Sequence, residues 1–164
     1  MNAMILAAGR GKRLMPLTKH APKPLVRING KPILAYHLER LHTAGIVDVI
    51  INVSYLGHLI VEEFGYRYKG LRIFYSFEPS PPLETAGGIA FAKPWVLSNQ
   101  PFLVINSDIL CDWPLSRAFK IYSSNISLIG SITRNANLTT TINRTEKSRH
   151  LLSPIQKQES STYY

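Results

Sequence analysis

The residues best equipped for chemistry stand near the N-terminus, in Leu6-Ala7-Ala8-Gly9-Arg10-Gly11-Lys12-Arg13-Leu14-Met15-Pro16-Leu17-Thr18, followed by Pro22-Lys23-Pro24-Leu25. Gly9 and Gly11 permit positive φ and keep side chains out of a ligand's path, so backbone N–H groups here can point at phosphate oxygens. Lys12, Arg13 and Lys23 supply the countercharge. The spacing is not the dinucleotide fingerprint, because Leu14 stands where G-x-G-x-x-G needs its third glycine and Pro16 blocks an immediate helix. Nor is it a Walker A loop, since G-x-x-x-x-G-K-[ST] occurs nowhere in the chain. A second landmark is Asn106-Ser107-Asp108, which follows the apolar run Phe102-Leu103-Val104-Ile105. An Asp in that place is either a cap or turn residue or a ligand. If its strand runs parallel to the first, its carboxylate emerges on the same edge as the glycine loop.

Positioning these groups requires strands that end together. Ala3-Met4-Ile5-Leu6 reads as a buried strand that stops at the glycine loop. Leu25, Val26 and Ile28 make a short extended piece ending at the turn signal Asn29-Gly30. A helix is expected from Pro32 to about Ala44, with Leu34, Leu38 and Leu41 on one stripe and Gly45 as its cap. Val49 to Val53 reads as a strand, Leu56 to Phe64 as a helix closed by Gly65, and Leu71 to Phe77 as a third strand. The prolines of Glu78 to Pro82 mark a loop, after which Thr85 caps a helix through about Trp95. Gly87 and Gly88 cost that helix roughly 1 kcal/mol each. Either a flat base or ribose approaches the backbone there, or the helix packs closely. Pro101 to Ile105 is a fourth strand, Asp112 caps a helix over Leu115 to Tyr122, and Ile126 to Ile132 is one more strand. Strands alternating with helices imply an α/β fold with a parallel sheet covered on both faces. From Thr133 onward the Thr, Asn, Ser, Gln and Lys content favours a disordered tail, interrupted only by the weak apolar group Leu151, Leu152 and Ile155.

With 164 residues the chain fits one domain. Its single cysteine, Cys111, forms no internal disulfide, and the opening lacks a charged segment followed by a long apolar run. A cytoplasmic protein with no membrane span is the expectation. The net charge of +9 suits nucleic acid, but its distribution argues for a smaller polyanion. Eight of the nineteen Lys and Arg lie in residues 1–40 against the single acid Glu39, whereas residues 41–119 hold five basic and seven acidic side chains. No nucleic-acid motif accompanies the charge. His20, His37, His42 and His58 have no metal-ligand spacing and read as surface or packing residues.

The pattern L-A-A-G-x-G-x-R-[LM]-x-P-L-T, then P-K-P-L, then Gly30-Lys31-Pro32, resembles the signature of the sugar-1-phosphate nucleotidyltransferases. Leu83-Glu84-Thr85-Ala86-Gly87-Gly88 is similar to a uridylyltransferase subgroup, while the guanylyltransferases share much of the same pattern. The resemblance covers about Met1 to Leu115. It implies a Rossmann-like open, mainly parallel sheet of the nucleotide-diphospho-sugar transferase type, incomplete at the C-terminus, with residues 1–132 forming the nucleotide-binding portion and 133–164 a divergent tail.

Transfer of a nucleoside monophosphate from a triphosphate, UTP favoured, to a sugar-1-phosphate is the reaction the resemblance implies, with nucleoside triphosphate and sugar-1-phosphate as partners. The product class would supply cell-wall or polysaccharide synthesis. Arg13 would serve the departing phosphates and Lys23 the α-phosphate, the two prolines beside Lys23 holding its backbone extended. Leu6, Ala7, Ala8, Gly9, Gly11 and Lys12 would line the nucleotide path, although Lys12 also reads as a solvated loop residue. Glu78 and Gly88 would flank the base, and Asn106 would contact the acceptor sugar. Asp108 would hold Mg2+, with Ser107 replacing the family's usual glycine. A second metal carboxylate normally lies far downstream in this family; here no Asp follows Asp112, and the later acids are Glu146 and Glu159. A nucleotide-binding chain without turnover, or a guanylyltransferase acting on mannose-1-phosphate, are the alternatives.

Overall fold

The computed structural model describes residues 2–96, 102–112, 114–116, 126–132 and 140–146. The chain divides into two compact units, Met1–Leu115 and Ser116–Tyr164. In the first, β1 (Asn2–Leu6) leads into two single turns of 3-10 helix, Lys12–Leu14 and Lys23–Leu25. A minimal hairpin of β2 (Arg27–Ile28) and β3 (Lys31–Pro32) follows, turned by Asn29 and Gly30 at positive φ. Next come α1 (Ile33–Thr43), β4 (Asp48–Val53), α2 (Gly57–Phe64), β5 (Arg67–Tyr68), β6 (Leu71–Phe77), α3 (Glu84–Val96) and β7 (Phe102–Asn106).

The sheet has the order β5-β6-β4-β1-β7. β6, β4, β1 and β7 run parallel, and only the short edge strand β5 is antiparallel to its neighbour. Alternation sends Met4, Leu6 and Ile50 to one face, where they pack with Ala92 and Ile89 of α3. Ala3, Ile5, Val49, Ile51 and Val53 point to the other face, against which α2 begins at Gly57. Cover on both faces explains why these strands read as continuous apolar runs. The expected stripe of Leu34, Leu38 and Leu41 on α1 is wholly buried, and Ile46 N–H closes that helix on Leu41 O, with Gly45 at φ +84°.

Connections leave β1 toward β4 and β6, then cross back to β7 on its other side. The order therefore reverses at β1, where a ligand crevice is expected. Register places Leu6 between Asn52 of β4 and Asn106 of β7, so three strands end together.

The second unit holds an antiparallel hairpin of β8 (Ile126–Ile132) and β9 (Thr140–Glu146). β8 matches the sequence reading, but it belongs with β9 rather than with the first unit. β9 falls where disorder was expected; Thr140, Thr141, Ile142 and Thr145 are β-branched, and that content suits a strand. The helix anticipated over Leu115 to Tyr122 lies, beyond Ser116, outside the described residues, as do Leu151, Leu152 and Ile155. No described helix is long and apolar enough to cross a membrane.

Candidate active site

The glycine loop leaves β1 at the reversal point. Gly11 takes φ +61° and starts the turn Lys12–Leu14, and Thr18 Oγ1 donates to its carbonyl at 2.9 Å. A Cβ on Gly11 would stand 3.0 Å from Thr18 Cγ2 and 3.1 Å from Lys23 Cβ. The residue must therefore be glycine on two counts, and its lack of a side chain is what lets Lys23 lie against the loop. Gly9 differs from the expectation, for it does not adopt positive φ; it is exposed, with no atom near its Cβ direction. Lys12 and Arg13 project into solvent from the turn, while Ala7 and Ala8 are buried. Ala7 N–H is already bound to Asn52 Oδ1 at 2.7 Å and so is not free to face a ligand.

Lys23 lies in a 3-10 turn, not in extended backbone. Pro22 is the extended residue, and Pro24 sits in the first turn, where its missing N–H needs no partner. This turn aims Lys23 Nζ at Asp108 Oδ2, 2.5 Å away. Asp108 arrives from the end of β7: Ser107 N–H donates to Leu6 O at 3.1 Å, extending the β1–β7 ladder by one residue beyond the paired Asn106. Ser107 O in turn meets Nε2 of His37, a fully buried residue of α1, at 3.1 Å. Burial first, and the Arg40 charge second, hold the His37 pKa below its usual 6.5. A neutral ring that donates from Nε2–H fits this contact, with Nδ1 lacking a hydrogen-bond partner among the described residues.

Across β1, Glu78 follows β6 directly, its N–H bound to Val53 O at 2.8 Å. Its carboxylate accepts from Asn52 Nδ2 at 2.6 Å and from Leu83 N–H at 2.9 Å. Gly88 packs against this pair: a Cβ there would stand 2.8 Å from Asn52 Nδ2 and nearer still to Glu78 Oε1. Close packing, one of the two readings the sequence leaves open for Gly88, is present in the structure. α3 starts at Glu84 rather than after a Thr85 cap.

Two groupings therefore share the edge, Lys23 with Asp108 beside the Gly11 loop, and Glu78 with Gly88 and Asn52. Asn52 was missed, although one polar residue ending the run Val49-Ile50-Ile51 was a signal. Among the described residues no cluster of three or more His, Cys, Asp or Glu could hold a metal, and Asp108 is a carboxylate that stands beside the loop, paired with Lys23.

The profile of the nucleotidyl transferase family matches residues 2–139. Over 125 residues the chain is 50% identical to N-acetylmuramate alpha-1-phosphate uridylyltransferase of Neisseria meningitidis serogroup B, covering 76% of this chain and 54% of that protein. It is 42% identical over 128 residues to mannose-1-phosphate guanylyltransferase catalytic subunit beta of Danio rerio, covering 76% of this chain and 35% of that one. The chain thus spans about half or less of these relatives. The crystal structure of HddC from Yersinia pseudotuberculosis complexed with GMP-PN superposes with a TM-score of 0.66 at 28% identity, over 90% of this chain and 70% of that one. The signature, the reversed sheet order and these matches agree, and the chain belongs to the nucleotidyl transferase family.

Proposed function

We propose that this chain binds a nucleoside triphosphate, UTP in the favoured reading, and transfers its nucleoside monophosphate to a sugar-1-phosphate. A phosphate oxygen of the sugar attacks the α-phosphorus as the bond to the β-phosphate breaks, giving NDP-sugar and pyrophosphate. The attacking oxygen is already anionic and needs no general base. What the protein must supply is alignment of two polyanions and compensation of charge moving to the leaving group.

The observation that carries this reading is the meeting of Lys23 and Asp108 at 2.5 Å on the strand-end edge, beside the Gly11 loop. In the proposed roles Lys23 faces the α-phosphate, while Arg13, Lys12 and the Gly11 amides face the departing β- and γ-phosphates. Leu6, Ala8 and the open Gly9 border the nucleotide path, Ala7 shapes it through its bond to Asn52, Glu78 and Gly88 lie on the base side, and Asn106 meets the acceptor sugar. Mg2+ is commonly held by one or two carboxylates with water and substrate phosphates, and the donor set here fits that description. Asp108 would be its ligand from this chain, and the ion when bound would neutralise phosphate charge.

Pyrophosphate release tests the proposal. With Mg2+, UTP or GTP is combined in turn with N-acetylmuramate-1-phosphate, mannose-1-phosphate and glucose-1-phosphate, and release is expected from at least one pair. No release from any pair, with nucleotide binding retained, would establish the second reading, a nucleotide-binding chain without turnover.

A further inference from the structure

The base side of the edge contains a buried polar chain whose organising residue, Asn52, enters the reading above only as a partner of Ala7. Asn52 is 3% exposed at the end of a strand otherwise rich in Val and Ile. A side-chain amide is costly to bury unless both of its ends are paired. Both are paired here, and in only one orientation. Ala7 N–H can only donate, so Oδ1 must face it, which aims Nδ2 at Glu78 Oε1. Turning the amide round would set donor against donor at one end and acceptor against acceptor at the other. Asp at this position would keep the first bond and oppose Glu78 with another acceptor, and Leu would pair with neither.

Glu78 is fixed from a second side by Leu83 N–H, and Gly88 supplies a side-chain-free surface against which both groups fit. The chain Ala7, Asn52, Glu78, Leu83 therefore joins the strand end that enters the glycine loop to the loop that precedes α3. Each Glu78 oxygen accepts one hydrogen bond and retains a second lone pair.

Resting on the nucleotide-binding reading, we propose that Asn52 is a positioning residue for the nucleobase. It holds Glu78 as a fixed acceptor, so that the site reads a ring N–H of the kind uracil and guanine offer and cytosine lacks. A site built to pair such a group rejects an analogue without it, because its own buried acceptor is then left unmatched.

Equilibrium binding of UTP, GTP, CTP and inorganic tripolyphosphate to the full chain tests this. The unsubstituted chain should bind UTP or GTP at least about tenfold more tightly than CTP. Asn52→Asp should weaken the preferred nucleotide about tenfold, while tripolyphosphate, which has no base, changes less than about twofold. Equal CTP binding, unchanged nucleotide affinity in the variant, or a parallel loss for tripolyphosphate would each overturn the inference. An unsubstituted chain that binds no nucleotide would end the functional reading itself, and this inference with it. If Asn52→Asp alone does not fold, the pair Asn52→Asp and Glu78→Gln reverses the polarity of the chain and satisfies all four partners. That double variant should recover the wild-type melting temperature yet lose discrimination against CTP, since its amide can now donate. Retained discrimination would overturn the proposal.

Discussion

The two sides of the strand-end edge are held by different forces. Beside the Gly11 loop, Lys23 and Asp108 form an ion pair whose side chains are 28% and 23% exposed. Across β1, Asn52 and Glu78 are buried and hydrogen-bonded at both ends. An ion pair open to solvent contributes about 0–1 kcal/mol to folding, so stability alone gives little reason to bring together two charges 85 residues apart in the chain. Such a pair can exchange its partners when a polyanion arrives. Buried hydrogen bonds cannot be given up so cheaply, because each lost partner leaves a polar group stranded away from water. The edge thus combines an exchangeable charged half with a fixed polar half, and substitutions on the two halves should fail in different ways.

Lys23→Ala tests the charged half and carries the largest expected effect. Loss of one donor to developing charge costs about 2.7–4 kcal/mol, or a factor of about 100–1000 in rate. The melting temperature should move by no more than a few degrees, since the pair adds so little to folding. Pyrophosphate release and a thermal melt measure both quantities. A chain that melted much lower and reacted at the original rate would interchange the roles assigned to the two sides.

Gly88→Ala tests the fixed half. Its new methyl would collide with Asn52 and Glu78, both buried, and neither can swing into solvent without stranding the other. Overpacking of this kind costs about 1–3 kcal/mol. Urea unfolding should show a lower midpoint at unchanged slope, with nucleotide affinity falling alongside it. A fall in affinity with no change in midpoint would mean that Gly88 faces ligand more than it supports Glu78.

The same division governs what could be read from sequence. β1, β4, β6, β7, α1 and α2 were legible because two-sided burial and helical stripes leave periodic apolar marks. Gly11, Lys23 and Asp108 stand out in the sequence by residue type and spacing, Gly11 and Lys23 within the glycine-loop pattern and Asp108 at the end of an apolar run. The fixed half was harder to see: the pairing of Asn52 with Ala7 and Glu78 joins three strand ends that only the sheet order brings together. At Gly88 the sequence leaves a ligand and close packing both open, and the atoms that fill its space in the structure are those of Asn52 and Glu78. The 3-10 turn at Lys23 went unread because the flanking prolines pointed to extended backbone, and β9 because polar composition outweighed its β-branched residues.

His37 touches the charged half from below the surface, through Ser107 O, and gives a smaller, pH-dependent effect. Its pKa is lowered by burial and by Arg40, against the opposing influences of the Ser107 hydrogen bond and the Asp108 charge. The unfolded chain then binds more protons than the folded one below about pH 6.5, so stability rises with pH through that window. It is fully present above about pH 6.5 and is lost as pH falls. Urea midpoints at pH 7.5 and 5.5 should differ in this direction, and the difference should shrink in His37→Gln.

Glu39 gives the smallest expected effect and belongs to neither half. On α1 it accepts from Lys31 and, at 2.7 Å, from Lys69, and the Lys31 bond followed by the Lys69 bond draws its pKa down to about 2. A depressed carboxylate contributes stability above its ordinary pKa of 4.5 and loses that contribution as pH falls through about 2. Its side chain is 27% exposed and that of Lys69 59%, so solvent screening holds the effect of Glu39→Gln below about 1 kcal/mol. Added salt should shrink it further. Because Glu39 binds β3 and the β5–β6 turn rather than the strand ends, the variant should bind UTP as the unsubstituted chain does. A large change in nucleotide affinity from this distant clasp would show that charge reaches the site through the whole unit, and the contrast between an exchangeable half and a fixed half would have to be redrawn.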